Sequence, residues 1–326
     1  MTEPLTVPPV LEGTGPPRTP PADDGIDRRG FLHCMAWVGT AVAWTMSGGV
    51  LTSRILGQAG ADDEGGFTFV QLSDSHIGFA RPANPDVKGT LKRAVEKINA
   101  LRQAPAFAIH TGDLTHLSKA AEFDDVAEIL KGAKVGRTYY VPGEHDVYDK
   151  GKLYRERYGK ATRGSGWYSF DYKGTHFVGL VNVAGVSHGD LGVLGADQLD
   201  WLKKDLAGLA ASTPVVAFAH IPLWTVHEKW GWGTSDSEQA LALLRRFGSV
   251  TVLNGHVHQV LKKVEGKVTF HAAASTAFPQ PAPGKGESPG PVKDTPAEKL
   301  KSVLGLSRID YVGRKSGLAV VDSTLE

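Results

Sequence analysis

Five short apolar runs in this chain each end in residues that bind metal ions. That repetition constrains the fold more than any other feature. Residues 67–72 are followed by Ser73-Asp74-Ser75-His76, and residues 106–109 by His110-Thr111-Gly112-Asp113. Residues 135–141 lead into Pro142-Gly143-Glu144-His145-Asp146, residues 215–219 into His220, and residues 250–253 into Asn254-Gly255-His256-Val257-His258. Apolar runs of this length, closed by Gly, Pro or polar residues, read as buried strands. Loops at the C-terminal edge of a sheet are where α/β proteins place their chemistry. A lone Glu-His-Asp would read as a charged turn, and a lone His220 as a core or surface histidine. Five occurrences of one shape outweigh both readings: strands that release Asp and His at one edge gather carboxylate and imidazole around hard or borderline metal ions.

These blocks, in this order, resemble the calcineurin-like metallophosphoesterases, whose pattern is Asp-x-His, Gly-Asp, Gly-Asn-His-Asp/Glu, His and Gly-His-x-His. The resemblance runs from Phe67 to the C-terminus and includes the helix phrase at residues 194–202. The resemblance includes the cyclic-nucleotide phosphodiesterase branch, although an exported protein would not meet a cytosolic second messenger. It implies two divalent or mixed-valence ions (Fe, Mn or Zn). Asp74, His76 and His258 would hold one ion and Asp113 would bridge. His220 and His256 would hold the second, with Glu144 in the family's Asn position. His145 would protonate the leaving oxygen or stabilise its charge, and Asp146 would orient His145 and raise its pKa. The substrate would be a small-molecule phosphate ester, monoester or diester, attacked by a hydroxide bridging the metals.

Glu144 departs from the pattern. Where Asn offers a neutral amide oxygen, Glu adds a full negative charge, giving about three ligand carboxylates instead of two. That strengthens metal binding, weakens the pull on an anionic substrate and makes the bridging water less acidic. The alternative reading is therefore an extracytoplasmic metal-binding protein of low or no turnover.

The N-terminal part reads differently. Residues 1–26 hold seven of the 19 prolines and read as a disordered extension. In residues 27–61, Arg28-Arg29-Gly30-Phe31-Leu32 precedes a mildly apolar stretch and Ala59-Gly60-Ala61, which resembles a twin-arginine signal peptide. The expected partner is the twin-arginine export machinery, the location periplasmic or secreted, and membrane contact transient. A transmembrane anchor is the competing reading, weakened by the Gly, Ser and Thr in the stretch. The only cysteine, Cys34, would leave with the signal. The remaining residues, 62–326, would form one metallophosphoesterase domain without thiolate chemistry. A net charge of +1 gives no electrostatic footprint for nucleic acid.

Beyond residue 67 the pattern alternates strand, ligand loop and helix. Leu91, Ala94, Val95, Ile98 and Leu101 recur at helical spacing, as do Phe123, Val126, Ile129 and Leu130. Leu199, Leu202, Leu206 and Leu209 form a third stripe, and Ala240, Leu241, Leu244 and Phe247 a fourth. Residues 166–183 and 260–272 read as hairpins, and 318–321 as a closing strand. The expected class is α/β, a four-layer αββα sandwich of two mixed β-sheets flanked by helices. Residues 224–233, with His227, Trp230 and Trp232, fit no regular element. They read equally as a substrate-stacking loop or as aromatics packed on the core. Residues 278–296, rich in Pro, Gly and Lys, read as a mobile loop.

Overall fold

The computed structural model describes residues 42–47, 50–55, 66–187, 189–293, 295–311 and 318–326. The Pro-rich extension, Arg28, Arg29, Cys34 and the Ala59-Gly60-Ala61 site lie outside the described residues. Within 27–61 only the antiparallel backbone pair β1 (Val42–Ser47) and β2 (Val50–Ile55) is described.

The main body follows in chain order. Its first half holds β3 (Phe67–Leu72), α1 (Val87–Asn99), β4 (Phe107–His110), α2 (Ala120–Lys131), β5 (Thr138–Tyr140) and α3 (Lys152–Tyr158). Next come β6 (Tyr168–Tyr172), β7 (Thr175–Gly179), α4 (Ala196–Ala207), β8 (Val215–Phe218), α5 (Ser237–Leu244) and β9 (Val250–Asn254). The chain closes with β10 (Leu261–Glu265), β11 (Val268–Ala272), α6 (Ala297–Val303), β12 (Gly305–Tyr311) and β13 (Leu318–Thr324).

The strands form two mixed sheets, in the orders β13-β12-β3-β4-β5 and β10-β11-β9-β8-β7-β6. In the first, β3, β4 and β5 are parallel; in the second, β7, β8, β9 and β11 are parallel. Side-chain alternation divides each strand between two cores. Val70 and Leu72 of β3 face α1 and α2, meeting Leu91, Val95, Ile98, Phe123 and Val126. Val215 and Ala217 of β8 face α4 and α5, meeting Leu202, Leu206 and Leu244. Phe67, Phe69, Phe107, Phe177, Val216 and Phe218 point between the sheets, so the layers are αββα as expected. The inter-sheet core is aromatic. Phe69 stacks on Phe107 at 5.0 Å, and Phe177 stacks on Phe170 at 4.8 Å.

Two expectations need adjustment. The run 135–141 yields a strand only over Thr138–Tyr140, half-buried at the sheet edge, because Gly136 and Arg137 interrupt it. Residues 278–296 are not uniformly loose: Phe278 is buried, and Gln280 Nε2 donates to the His256 carbonyl at 2.9 Å. Among the described residues no helix is long and apolar enough to cross a membrane.

Candidate metal centre

The parallel register places five strand ends at one edge. Leu72 pairs with His110 in one sheet, and Phe218 with Leu253 in the other, so the loops after β3, β4, β8 and β9 leave from matching levels. Beneath them the inter-sheet layer turns polar: Gln71 Nε2 donates to Thr111 Oγ1 at 3.1 Å and to the Asn254 carbonyl at 3.0 Å, tying the sheets together. The backbone then bends abruptly. Asp74 (φ 53°), His76 (40°), Asp113 (52°), His256 (70°) and His258 (55°) all occupy the left-handed region. Each such residue costs about 1–3 kcal/mol unless its surroundings hold it there. Asp74 N–H donates to the Gly112 carbonyl (3.0 Å), His76 N–H to the Asp113 carbonyl (2.9 Å), and His256 N–H to the Asp74 carboxylate (3.1 Å). Two motif glycines permit the close approach. A Cβ on Gly143 would lie 2.0 Å from Asp113 Oδ1, and one on Gly255 would lie 2.0 Å from Ser73 Oγ.

The seven predicted ligands come together. Asp74, His76 and His258 form one buried group of donors, and Glu144, His220 and His256 another. Asp113 lies between them, its Oδ2 3.4 Å from both His76 Nε2 and His220 Nε2. His258 Nε2 is 3.2 Å from Asp74 Oδ1, and Glu144 reaches His220 Nε2 at 2.9 Å and His256 Nδ1 at 3.0 Å. The opposite ring nitrogens are fixed by the backbone. His220 Nδ1 donates to the Thr111 carbonyl at 2.7 Å, and His258 Nδ1 to the Phe278 carbonyl at 2.6 Å. This directs both Nε2 lone pairs inward, as outer hydrogen bonds do for metal-binding histidines. His76 turns Nε2 to Asp113 and Nδ1 to His116 Nδ1, 3.4 Å away.

Electrostatics favour a cation here. Burial lowers His220's affinity for a proton, but Asp113 and Glu144 overcome it and raise its pKa well above the histidine range. Burial alone would raise Glu144, yet His256 and His220 hold it well below the carboxylate range. Asp74 likewise falls to about 2, burial being outweighed by His258 and His220. Buried His220 Nε2, Glu144 Oε2 and His256 Nε2 nonetheless make no aligned hydrogen bond. Atoms that crowd together without pairing, in a carboxylate–imidazole set, fit hard or borderline divalent ions.

His145 and Asp146 have separate jobs. Asp146 was expected to orient the His145 ring, but its carboxylate accepts from the backbone N–H of Gly143 (3.0 Å), Leu114 (3.0 Å) and Thr115 (2.8 Å), and from Thr115 Oγ1 (2.8 Å). It clamps the β4 and β5 loops together, and burial next to Asp113 raises its pKa to about 7. The His145 ring is positioned by the His116 carbonyl, 2.8 Å from Nδ1, with Tyr148 Oη 3.1 Å from the same nitrogen. Burial opposes protonation of His145, but Asp113 and Glu144 raise its pKa, with Asp146 a lesser contributor.

The sequence profile of the calcineurin-like phosphoesterases matches residues 67–260, more than half of the chain. The chain belongs to that family. It is 25% identical over 194 residues to a 3′,5′-cyclic-nucleotide phosphodiesterase of Nostoc sp., covering 56% of this chain and 67% of the relative. It is 27% identical over 215 residues to a probable glycerophosphodiester phosphodiesterase of Arcobacter nitrofigilis, covering 63% and 77%. In fold it is similar to a dimetal phosphatase from Danio rerio (TM-score 0.58, 15% identity, 79% of this chain and 98% of that one). It is also similar to a purple acid phosphatase from yellow lupin (TM-score 0.56, 13% identity, 84% and 56%). The chain is thus a metallophosphoesterase, a hydrolase of a metal-dependent family.

The metallophosphoesterase site opens into a cavity of about 320 Å³. Its lining includes His76, Asp113, Glu144, His145, His256 and His258, and several residues the motifs did not flag: Phe79, Arg81, Tyr148, Phe278 and Gln280. Trp230 and Trp232 are buried, as aromatics packed on the core would be, and they also line the cavity. His116, three residues after Asp113, stacks on His145 at 4.8 Å. His110, on the other side of Asp113, is buried and holds Ser75 Oγ at 3.1 Å. His176 and His271 pair with carboxylates away from the site, whereas His188 lies outside the described residues.

Proposed function

We propose that this metallophosphoesterase is a phosphodiesterase working with two divalent or mixed-valence ions (Fe, Mn or Zn) outside the cytoplasm. Asp74, His76, Asp113 and His258 would hold one ion, and Asp113, Glu144, His220 and His256 the other. Such ions supply Lewis acidity toward phosphoryl oxygens and lower the pKa of a water nucleophile. The chain's own residues do the rest. His145, with Nδ1 held by the His116 carbonyl, would exchange a proton with the leaving oxygen through Nε2. Asp146 keeps the loops carrying Asp113 and Glu144 in register.

The observation that carries the diester reading is Glu144 within 3.0 Å of both His220 and His256. Three carboxylates against two divalent ions leave about one net positive charge, where an amide at this position would leave about two. A phosphodiester carries one negative charge; a phosphomonoester carries about −1.5 to −2 at neutral pH. The balance therefore suits the diester, as do the diesterase names of the two relatives. With Mn, Fe or Zn supplied, kcat/KM for bis(4-nitrophenyl) phosphate should exceed that for 4-nitrophenyl phosphate. Preference for the monoester would sink the reading. Retained metal with turnover of neither would favour the metal-binding alternative that the charge on Glu144 also allows.

Export rests on Arg28-Arg29 and the uncharged stretch that follows. Replacing both by Lys should leave the protein inside the cell; unchanged export would contradict the twin-arginine assignment.

A further inference from the structure

The cavity over the metal centre has one strong cation in its lining. Among the described residues that line it, Arg81 is the only Arg or Lys; the others are the acidic and imidazole donors, Tyr148, Gln280, apolar side chains and small residues. Arg81 is exposed, and no hydrogen bond, ion pair or ring contact engages its guanidinium among the described residues. An Arg that only offset the carboxylates would be expected to pair with one of them. The base of the side chain is held in place. The Arg81 carbonyl accepts from Asn84 N–H at 3.1 Å, and buried Asn84 in turn donates from Nδ2 to the Ala277 carbonyl and to Thr90 Oγ1. Phe79, Phe278, Trp230 and Trp232 form apolar walls of the same cavity. An ester group lying on those walls needs no further charge, so an unpaired cation on a held backbone is available there to a second anion.

We propose that Arg81 is a specificity-determining residue that binds a second oxyanion on the substrate. The substrate class is then a phosphodiester in which one alcohol carries a further phosphate or carboxylate. This rests on the diesterase reading. A planar guanidinium grips either oxyanion through two parallel N–H donors, which Lys reproduces only in part.

The test uses metal-loaded wild-type protein, Arg81→Ala and Arg81→Lys with two matched substrate pairs. One pair is 4-nitrophenyl thymidine 5′-phosphate with and without a 3′-phosphate. The other is 4-nitrophenyl phenyl phosphate with and without a carboxylate para on the phenyl ring. Wild type should favour the member carrying the second oxyanion in at least one pair about tenfold in kcat/KM, and the pair concerned identifies the oxyanion. Arg81→Ala should abolish that preference, leaving kcat for the singly anionic esters unchanged, and Arg81→Lys should restore part of it. Absence of preference in both pairs, or an equal loss on every substrate in Arg81→Ala, would overturn the proposal. The diesterase reading fails separately, if monoesters are turned over faster than any of these esters. Should none be turned over, calorimetry with thymidine 5′-phosphate and thymidine 3′,5′-bisphosphate decides: tighter bisphosphate binding must depend on Arg81.

Discussion

His176 and His220 are both buried histidines beside two carboxylates, yet they are built for opposite ends. His176 sits in β7 on regular strand backbone, with Nδ1 2.7 Å from Asp171 and Nε2 2.8 Å from Asp205, so both ring nitrogens are paired. His271 closes its charge through one nitrogen: Nε2 lies 2.9 Å from Asp322, whose carboxylate also takes Lys262 and Ser307 and ties the two sheets together, while Nδ1 makes no hydrogen bond. His220 instead hands Nδ1 to a backbone carbonyl and turns Nε2 toward Asp113 and Glu144 without an aligned hydrogen bond. Its neighbours Asp74, His76, Asp113, His256 and His258 hold left-handed backbone. One arrangement closes its charges and stabilises the fold. The other concentrates donors and backbone strain at one point, which only a bound cation would repay.

The largest effect expected from breaking this contrast is at Asp113, the carboxylate shared by both donor groups. Asp113→Ala should remove half or more of the bound metal, measured by elemental analysis, and lower kcat/KM by about a thousandfold or more. His145→Ala should leave metal content unchanged while lowering kcat by roughly two to four orders of magnitude. Metal loss in His145→Ala with retention in Asp113→Ala would reverse the roles. Asp146→Ala removes an acceptor shared by four donors, three of them backbone N–H groups, and should lower unfolding stability by about 3 kcal/mol in denaturant titration.

The smallest effect belongs to the closed pair. Burial lowers the pKa of His176, but hydrogen bonds to Asp171 and Asp205 overcome this and raise it from 6.5 to about 9. The folded state therefore binds this proton more tightly than the unfolded chain. Its stabilisation is complete below about pH 6.5 and is lost as pH rises through about 9. Asp171 is half-exposed, so the gain is about 1–2 kcal/mol after screening. His176→Gln should lower unfolding stability by that amount at pH 6, by little near pH 9.5, and should not change metal content at either.

The sequence carried the ligand loops because each follows a strand whose alternation and terminal Gly or polar residues are local signals. The stripes at Leu91, Phe123, Leu199 and Leu241 became α1, α2, α4 and α5 for the same reason. Elements without such a signal escaped. Helix α3 buries only Tyr154 among charged residues, and β12 reads Gly-Leu-Ser-Arg-Ile-Asp-Tyr, with Ser307 and Asp310 spent on cross-strand partners. The job of Asp146 was illegible because three of its four donors are backbone amides, two of them on a loop about thirty residues earlier, and amides leave no side-chain pattern. Arg81 and Phe278 enter the cavity through loop geometry that no periodicity encodes.

Glu144→Asn tests the central claim most directly, since it exchanges the charge that sets this site apart while keeping an oxygen donor. The metal-loaded variant and wild type would be compared for bound metal and for the ratio of kcat/KM on bis(4-nitrophenyl) phosphate to that on 4-nitrophenyl phosphate. With Glu144 as a ligand that tunes the site to a single negative charge, the variant retains metal less well. At saturating metal its preference then shifts toward the monoester by about tenfold or more. Unchanged metal retention together with an unchanged ratio would contradict the account, because Glu144 would then neither bind the ion nor set the charge that the substrate meets.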